Sequence, residues 1–249
     1  MLESICNFLD EFLNIEEVED YPNALNGLHL QNDGQVTRIG AAVDASEAII
    51  EMAINRQVDF LLVHHGLFWS GLTRLAGAHF RKIKRAISAN VAIYSAHLPL
   101  DLHPEIGNNI LLARALELGK PEPFFLYKGQ HLGIAISTQI DRTELINRLK
   151  EVLGRELWVC PAGPAQVRRV AILTGGGGAQ VETVGAEGID TYITGEGPHH
   201  TFSLTEELGM NLIYGGHYAT EIFGVRALAE RVALQFGLTW TFLDHPSGL

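Results

Sequence analysis

Three short stretches of this chain gather side chains that bind divalent metal ions. His64 and His65 close the apolar run Phe60–Val63 and precede Gly66. His97 and Asp101 bracket Leu98, Pro99 and Leu100, and Gly215-Gly216 lead into His217, with Glu221 one helical turn later. Imidazole nitrogens with carboxylate oxygens suit zinc, iron, manganese or nickel better than calcium. Adjacent histidines on extended backbone point to opposite sides, so one ion does not readily take both; two neighbouring ions, or a turn, resolve the conflict. Pro99 argues against an ordinary helix and predicts an extended or turned path that lays Asp101 near the preceding strand end. After the two glycines a helix is expected to begin, with His217 and Glu221 on one face. His64, His65, Asp101, His217 and Glu221 thus form a coherent ligand set for two divalent ions per chain, with a bridging glutamate and open positions for water. Ions about 3.5–4 Å apart can share a hydroxide and activate it for attack at neutral pH. Ions that only brace the fold are the bland alternative.

Other residues near these stretches carry two readings each. His97 is either a ligand in some states or a proton shuttle beside the ions. Glu196 and His200, in the run Gly195–His200, can line the same crevice. Thr174 and Gly175–Gly178 make either a tight turn or an amide cradle for a substrate phosphate; the Lys-Ser/Thr ending of a P-loop is missing. Phe68 and Trp69 can stack on a flat substrate or simply pack. His29, His79, His103, His131 and His245 read as surface or structural residues.

These groups need a scaffold, and the pattern supplies one. Short β-rich runs at about 38–43, 59–63, 91–95, 131–137, 169–174, 190–194, 211–214 and 238–243 alternate with helical patterns, as in an α/β fold. Helices are expected at about 3–13, 46–56, 79–89, 105–118, 142–153, 179–187, 199–208 and 219–236. The candidate ligands fall at strand ends, where α/β folds open a crevice. The two halves also echo each other. VDFLLVHHG at 58–66 resembles IDTYITGEG at 189–197, an offset of 131, and IYSAH at 93–97 matches IYGGH at 213–217, an offset of 120. That alignment pairs His97 with His217 and Asp101 with Glu221, and puts the extra residues of the first half into the loop GLFWSGLTRLAG. Two proline-containing segments, 119–130 and 160–168, read as crossovers between the halves.

Bulk properties narrow the function. With 249 residues, 47% of them hydrophobic, the chain can bury a full core. A formal net charge of −11 argues against nucleic acid as a bulk partner, though bound cations would still allow a phosphorylated substrate. Only Cys6 and Cys160 are present, which gives neither a disulfide framework nor a CxxC pair and fits a reducing cytoplasm. The N-terminal MLESICNFLDEFLN is amphipathic rather than a secretory signal, and no run of about 18 apolar residues predicts a membrane span.

Taken together, VHHGLFW, SAHLPLD, TGEGPHH and GGHYATE resemble the GTP cyclohydrolase I type 2 homologue family, the Nif-three-like dinuclear metal proteins. The resemblance spans essentially the whole chain. It implies that His65 and Asp101 bind one ion and His64 and His217 the other, with Glu221 bridging. It further implies two similar, intertwined three-layer α/β/α halves with mixed sheets, here 1–125 plus 215–249 and 126–214, without an inserted third domain. It also implies a toroidal homohexamer. The activity implied is metal-dependent hydrolysis of GTP or a related purine nucleotide with release of formate. Two alternatives stand beside it: a metallophosphoesterase, and a non-catalytic metal-binding or partner-binding ring scaffold.

Overall fold

The computed structural model describes every residue except 70 and 72, so part of the loop expected after Gly66 lies outside the described residues. The chain divides into two compact units, one formed by Met1–His103 with Gly224–His245, the other by Pro104–Phe223 with Pro246–Leu249. The first begins with α1 (Leu2–Phe12), β1 (Gly27–Leu30), β2 (Arg38–Asp44) and α2 (Glu47–Asn55). It continues through β3 (Phe60–His65), α3 (Gly77–Ser88), β4 (Ala92–Ser95) and α4 (Leu98–Asp101). The second holds α5 (Asn108–Ala115), β5 (Pro121–Tyr127), β6 (Gln130–Asp141), α6 (Arg142–Leu153), β7 (Trp158–Pro161) and β8 (Gln166–Leu173). A 3-10 turn (Gly177–Gln180), α7 (Val181–Ala186), β9 (Thr191–Thr194), α8 (Thr201–Leu208) and β10 (Asn211–Tyr214) follow. The helix α9 (His217–Phe236) contributes its start to the second unit and the rest to the first, which β11 (Thr239–Phe242) completes.

The first unit is built on a mixed sheet of order β1-β4-β3-β2-β11, with β1 antiparallel and the other pairs parallel. Central β3 reads Phe-Leu-Leu-Val because both its faces are covered, which leaves no polar side to alternate with. Leu61, Val63 and Ile93 pack against Ile49, Ile50 and Ala53 of α2 and Ile83 and Ala86 of α3. Ser46 caps α2 by accepting from the Ile49 N–H. In α1 the apolar spacing buries Leu2, Ile5 and Leu9.

The second unit carries a mixed sheet of order β5-β6-β8-β9-β10-β7. Ile134, Ile136, Val170, Ile172, Ile193 and Ile213 on one face meet Leu112 of α5 and Leu145, Leu149 and Leu153 of α6. The expected span of α6, 142–153, is matched: Asp141 caps the Thr143 N–H, and Gly154 ends the helix at φ 64°. Among the described residues, no helix is long and apolar enough to cross a membrane.

Three local expectations are corrected. The 119–130 crossover is instead a β-hairpin, β5–β6, and its prolines are tolerated because β5 is a sheet edge. Part of the 160–168 crossover is strand, since β7 ends at Pro161 and β8 begins at Gln166. Pro99 does not forbid α4, because it stands in the first turn, where its missing N–H has no intrahelical partner anyway.

The internal echo is present in the ladder itself. Phe60 pairs with Ile39 and Ala92, and Thr191 pairs with Val170 and Asn211, so β2-β3-β4 and β8-β9-β10 share order and register. Antiparallel β1 and β7 occupy the same place beside β4 and β10. The offset of 131 holds for β2 and β3, but Ala92 answers to Asn211, an offset of 119 rather than 120. In this register His97 corresponds to Gly216 and not to His217. The capping repeats too: Asp59 accepts from the N–H groups of Thr37 and Arg38, and Asp190 from those of Arg168 and Arg169.

Candidate metal centre

In the first unit β3 ends on the histidine pair and β4 ends one residue before Ala96 and His97. Parallel pairing of β3 with β4 brings these ends side by side, so that one ring nitrogen each of His64, His65 and His97 lies within 4.8 Å of the others. The rings of His64 and His65 approach to 4.7 Å between centroids despite their adjacent positions on the strand. Asp101 closes α4 with its carboxylate 3.5 Å from His64 Nε2. Burial lowers the pKa of His97, helped by the nearby His64, while Asp20 and Asp101 partly offset the shift. His97 is thereby kept neutral at physiological pH.

The second unit supplies a histidine–carboxylate pair one turn apart at the start of α9. His217 Nε2 is 3.1 Å from the Glu221 carboxylate, which is only 3% exposed. Glu196, two residues past the end of β9, meets His217 Nδ1 at 2.8 Å. Burial alone would lower the His217 pKa, but Glu221 and Glu196 outweigh it and hold the imidazole at about 9. His200 is not drawn in: it is exposed and precedes α8, with its carbonyl accepting from the Leu204 N–H.

One feature unites all four histidines, because each has its Nδ1 against an oxygen. The partners are the Ala96 carbonyl for His64 at 2.9 Å, Asp44 for His65 at 2.9 Å, Asp20 for His97 at 3.0 Å and Glu196 for His217 at 2.8 Å. For His64, His65 and His97 an acceptor at Nδ1 fixes the proton there and leaves the Nε2 lone pair as the donor, which is how metal-ligating histidines are oriented; His217, flanked by Glu196 at Nδ1 and Glu221 at Nε2, carries a proton on both nitrogens at neutral pH. Asp44 and Asp20 were not singled out in sequence. Asp44 stands at a strand end and was open to the same positional argument as His65; Asp20 is hidden in the acidic run Glu16–Asp20.

The glycine run is explained by close packing. A Cβ on Gly175 would sit 2.1 Å from Glu221 Oε1, and one on Gly178 would sit 2.6 Å from the Glu196 carbonyl. The Gly175 N–H donates to Thr220 Oγ1 and the Gly178 N–H to the Glu196 carbonyl, so two of the run's amides serve the protein. Trp69 lies 4.1 Å from the His97 ring, and is one-third exposed. His29 is structural, bridging the Leu25 carbonyl and the Leu67 N–H; His103 is buried against Phe12.

Two mixed sheets bearing histidine–carboxylate clusters at their strand ends define the class: an α/β protein whose buried His, Asp and Glu groups can bind metal. Residues 1–247 match the profile described as Duf34/NIF3 (NGG1p interacting factor 3), and the chain belongs to that family. A Deinococcus radiodurans relative described as a GTP cyclohydrolase 1 type 2 homolog is 39% identical, over 99% of this chain and 94% of its own length. One of the same description from Pyrococcus horikoshii is 37% identical, over 99% of each chain. Among solved structures, a Thermus thermophilus protein aligns over 99% of both chains with a TM-score of 0.91 and 39% identity. Reduced HcgD from Methanocaldococcus jannaschii aligns over 98% of both with a TM-score of 0.86 and 27% identity.

Proposed function

We propose that this protein is a dinuclear, divalent-metal-dependent hydrolase acting on GTP or a related purine nucleotide. The observation that carries the reading is the common orientation of the four imidazoles, each with Nδ1 held by an oxygen so that Nε2 is the nitrogen turned to an ion, in His217 once its Nε2 proton is displaced. In this proposal His65 and Asp101 hold one ion, His64 and His217 the other, and Glu221 serves both. Zinc, iron, manganese and nickel all suit this donor set. Such ions, when bound, would supply Lewis-acid activation of water. The chain's own part is proton handling and positioning. His97, neutral by burial, takes a proton at Nε2 while its Nδ1–H stays with Asp20, whose carboxylate steadies the resulting imidazolium. The purine nucleotide is proposed from the description shared by the curated relatives. A toroidal homohexamer in a reducing cytoplasm, with small molecules rather than nucleic acid as partners, completes the proposal.

A second reading, a metal-bearing scaffold that binds partner proteins, is favoured by the interacting-factor description of the family. One experiment separates the readings. Metal content is measured by mass spectrometry for the wild type and for an Asp101→Ala, Glu221→Ala double variant, and the loaded protein is then incubated with GTP. The expected result is about two ions per chain, lost in the double variant, with formate released from GTP. Inorganic phosphate without formate would point to a phosphoesterase, and bound metal without turnover to the scaffold. An absence of metal even after adding zinc, manganese or iron would overturn the metal reading.

A further inference from the structure

We infer that Asp20, braced by Asn26, is the positioning residue of the first unit's histidine cluster: it fixes the His97 proton on Nδ1 and anchors the short helix that ends in Asp101. The inference rests on the metal-centre reading for its purpose, although its geometry stands alone.

Asp20 ends the run Glu16–Asp20 between α1 and β1, where acidic side chains ordinarily face water. Its side chain is instead only 5% exposed. Donors converge on the carboxylate, among them the Tyr21 N–H at 2.7 Å, Asn26 Nδ2 at 2.9 Å, His97 Nδ1 at 3.0 Å and the Leu98 N–H at 3.1 Å. Asn26 also accepts the His97 N–H at 2.7 Å, so the two side chains grip the backbone and the ring of His97 together. A buried carboxylate is tolerated only where donors replace its lost hydration, and here the donors belong to the candidate site.

The Leu98 contact extends this grip to Asp101. Helix α4 has only four residues and no cap from the side chain at its own N-cap position, His97. So short a helix gains little from its own hydrogen bonds, and its first N–H groups have no intrahelical partners. Asp20 satisfies one of them from 78 positions away in sequence. One carboxylate therefore sets the imidazole and the start of the segment that delivers Asp101. Asp44 and Glu196 each orient a single ring by comparison, and both are more exposed.

The test uses the full chain, with histidine labelled by nitrogen-15, as wild type, Asp20→Ala, Asp20→Asn and Asn26→Ala; Glu3→Gln serves as a charge control on the exposed side of α1. Two-bond nitrogen–proton correlation on the metal-free proteins reads the His97 tautomer, and cobalt(II) titration against a competing chelator reads affinity and the ligand-field spectrum. Wild type is expected in the Nδ1–H form. Asp20→Ala should shift His97 toward a tautomer mixture and weaken cobalt binding about ten- to a hundred-fold. Asp20→Asn, whose amide oxygen still accepts from Nδ1, should keep the tautomer and lose less affinity. If Asp20→Ala does not fold, judged by circular dichroism, Asp20→Asn and Asn26→Ala decide instead, each with weakened cobalt binding and an altered spectrum expected. Unchanged tautomer, affinity and spectrum in the folded variants would overturn the inference. If wild type binds no cobalt, the metal reading fails, and the tautomer comparison still decides what Asp20 does to His97.

Discussion

Replacing Gly175 with alanine tests whether the backbone after β8 is shaped around the Glu221 carboxylate. Two costs arise. Gly175 has φ 71°, where an L-residue costs about 1–2 kcal/mol. The new Cβ would also lie 2.1 Å from Glu221 Oε1 and 3.4 Å from His217 Nε2, so the carboxylate must move. Glu221 is buried, and displacing it strains its contact with His217, adding about 1–2 kcal/mol. The sum, about 2–4 kcal/mol, corresponds to a fall in Tm of roughly 5–15 °C for a chain of this size. Gly154→Ala is the internal control: its φ is 64°, yet a Cβ there meets nothing within 4 Å, so only the backbone cost applies. Thermal unfolding of the metal-free proteins gives the difference between the variants, and metal content of the same preparations reads the site. Gly175→Ala should melt below Gly154→Ala and lose bound metal, whereas Gly154→Ala should keep it. Equal melting temperatures and equal metal content would refute the claim that Glu221 sets the backbone.

Further outcomes follow from the same geometry. His217 is held at about 9 by Glu221 and Glu196, so an ion bound there as proposed would displace a proton at neutral pH. Affinity, measured by chelator competition from about pH 6 to 10, should rise by up to about tenfold per unit until near 9 and then level; a flat profile would remove His217 from the ligands. The sign for the metal-free fold is opposite: a raised imidazole pKa adds stability that is fully present below the unfolded value of 6.5 and lost as pH climbs through about 9. Asp59→Ala and Asp190→Ala each strip two backbone N–H groups of an acceptor and should each cost about 1–3 kcal/mol. Because they cap separate sheets, their double variant should show the sum within about 0.5 kcal/mol in denaturant titration, and strong non-additivity would contradict their independence.

The alternating pattern revealed most of the scaffold because β2, β3, β8, β9 and β10 are apolar runs between clear helices, and α6 carries both an aspartate cap and a terminal glycine. What escaped was local or distant in sequence. Strand β1, four residues with only Gly27 buried, lacks an apolar period. The β5–β6 hairpin was obscured by Pro121 and Pro123, which an edge strand accepts. Helix α4 was masked by Pro99, whose constraint depends on its position within the first turn. The candidate ligands were legible because histidines at strand ends are few and their types are specific to chemistry. Asp20 and Asn26 were not, since their partners His97 and Leu98 lie more than 70 positions away and only the fold introduces them.

The corrected register also explains why two similar sheets carry different donors. Carrying the offsets through, Asp44 answers to Gly175, His64 to Gly195, His65 to Glu196 and His97 to Gly216. Three of these four positions are therefore glycine in the second unit. Each of those glycines is favoured for its own reason: a Cβ at Gly175 would strike the buried Glu221, one at Gly195 would lie 2.5 Å from the Gly175 carbonyl and 2.8 Å from the Cα of His217, and Gly216 has φ 97°, where an L-residue is strained. The space that strand-end side chains occupy in one repeat is occupied in the other by the first turn of α9 and its neighbours. The candidate donors of the second unit, His217 and Glu221, then stand on the helix, while Glu196 meets His217 Nδ1 as Asp44 meets His65 Nδ1. The repeat thus keeps the frame and exchanges the elements that carry the candidate ligands, so aligning His97 with His217 by residue type pairs two histidines that the hydrogen-bond ladder keeps one position apart.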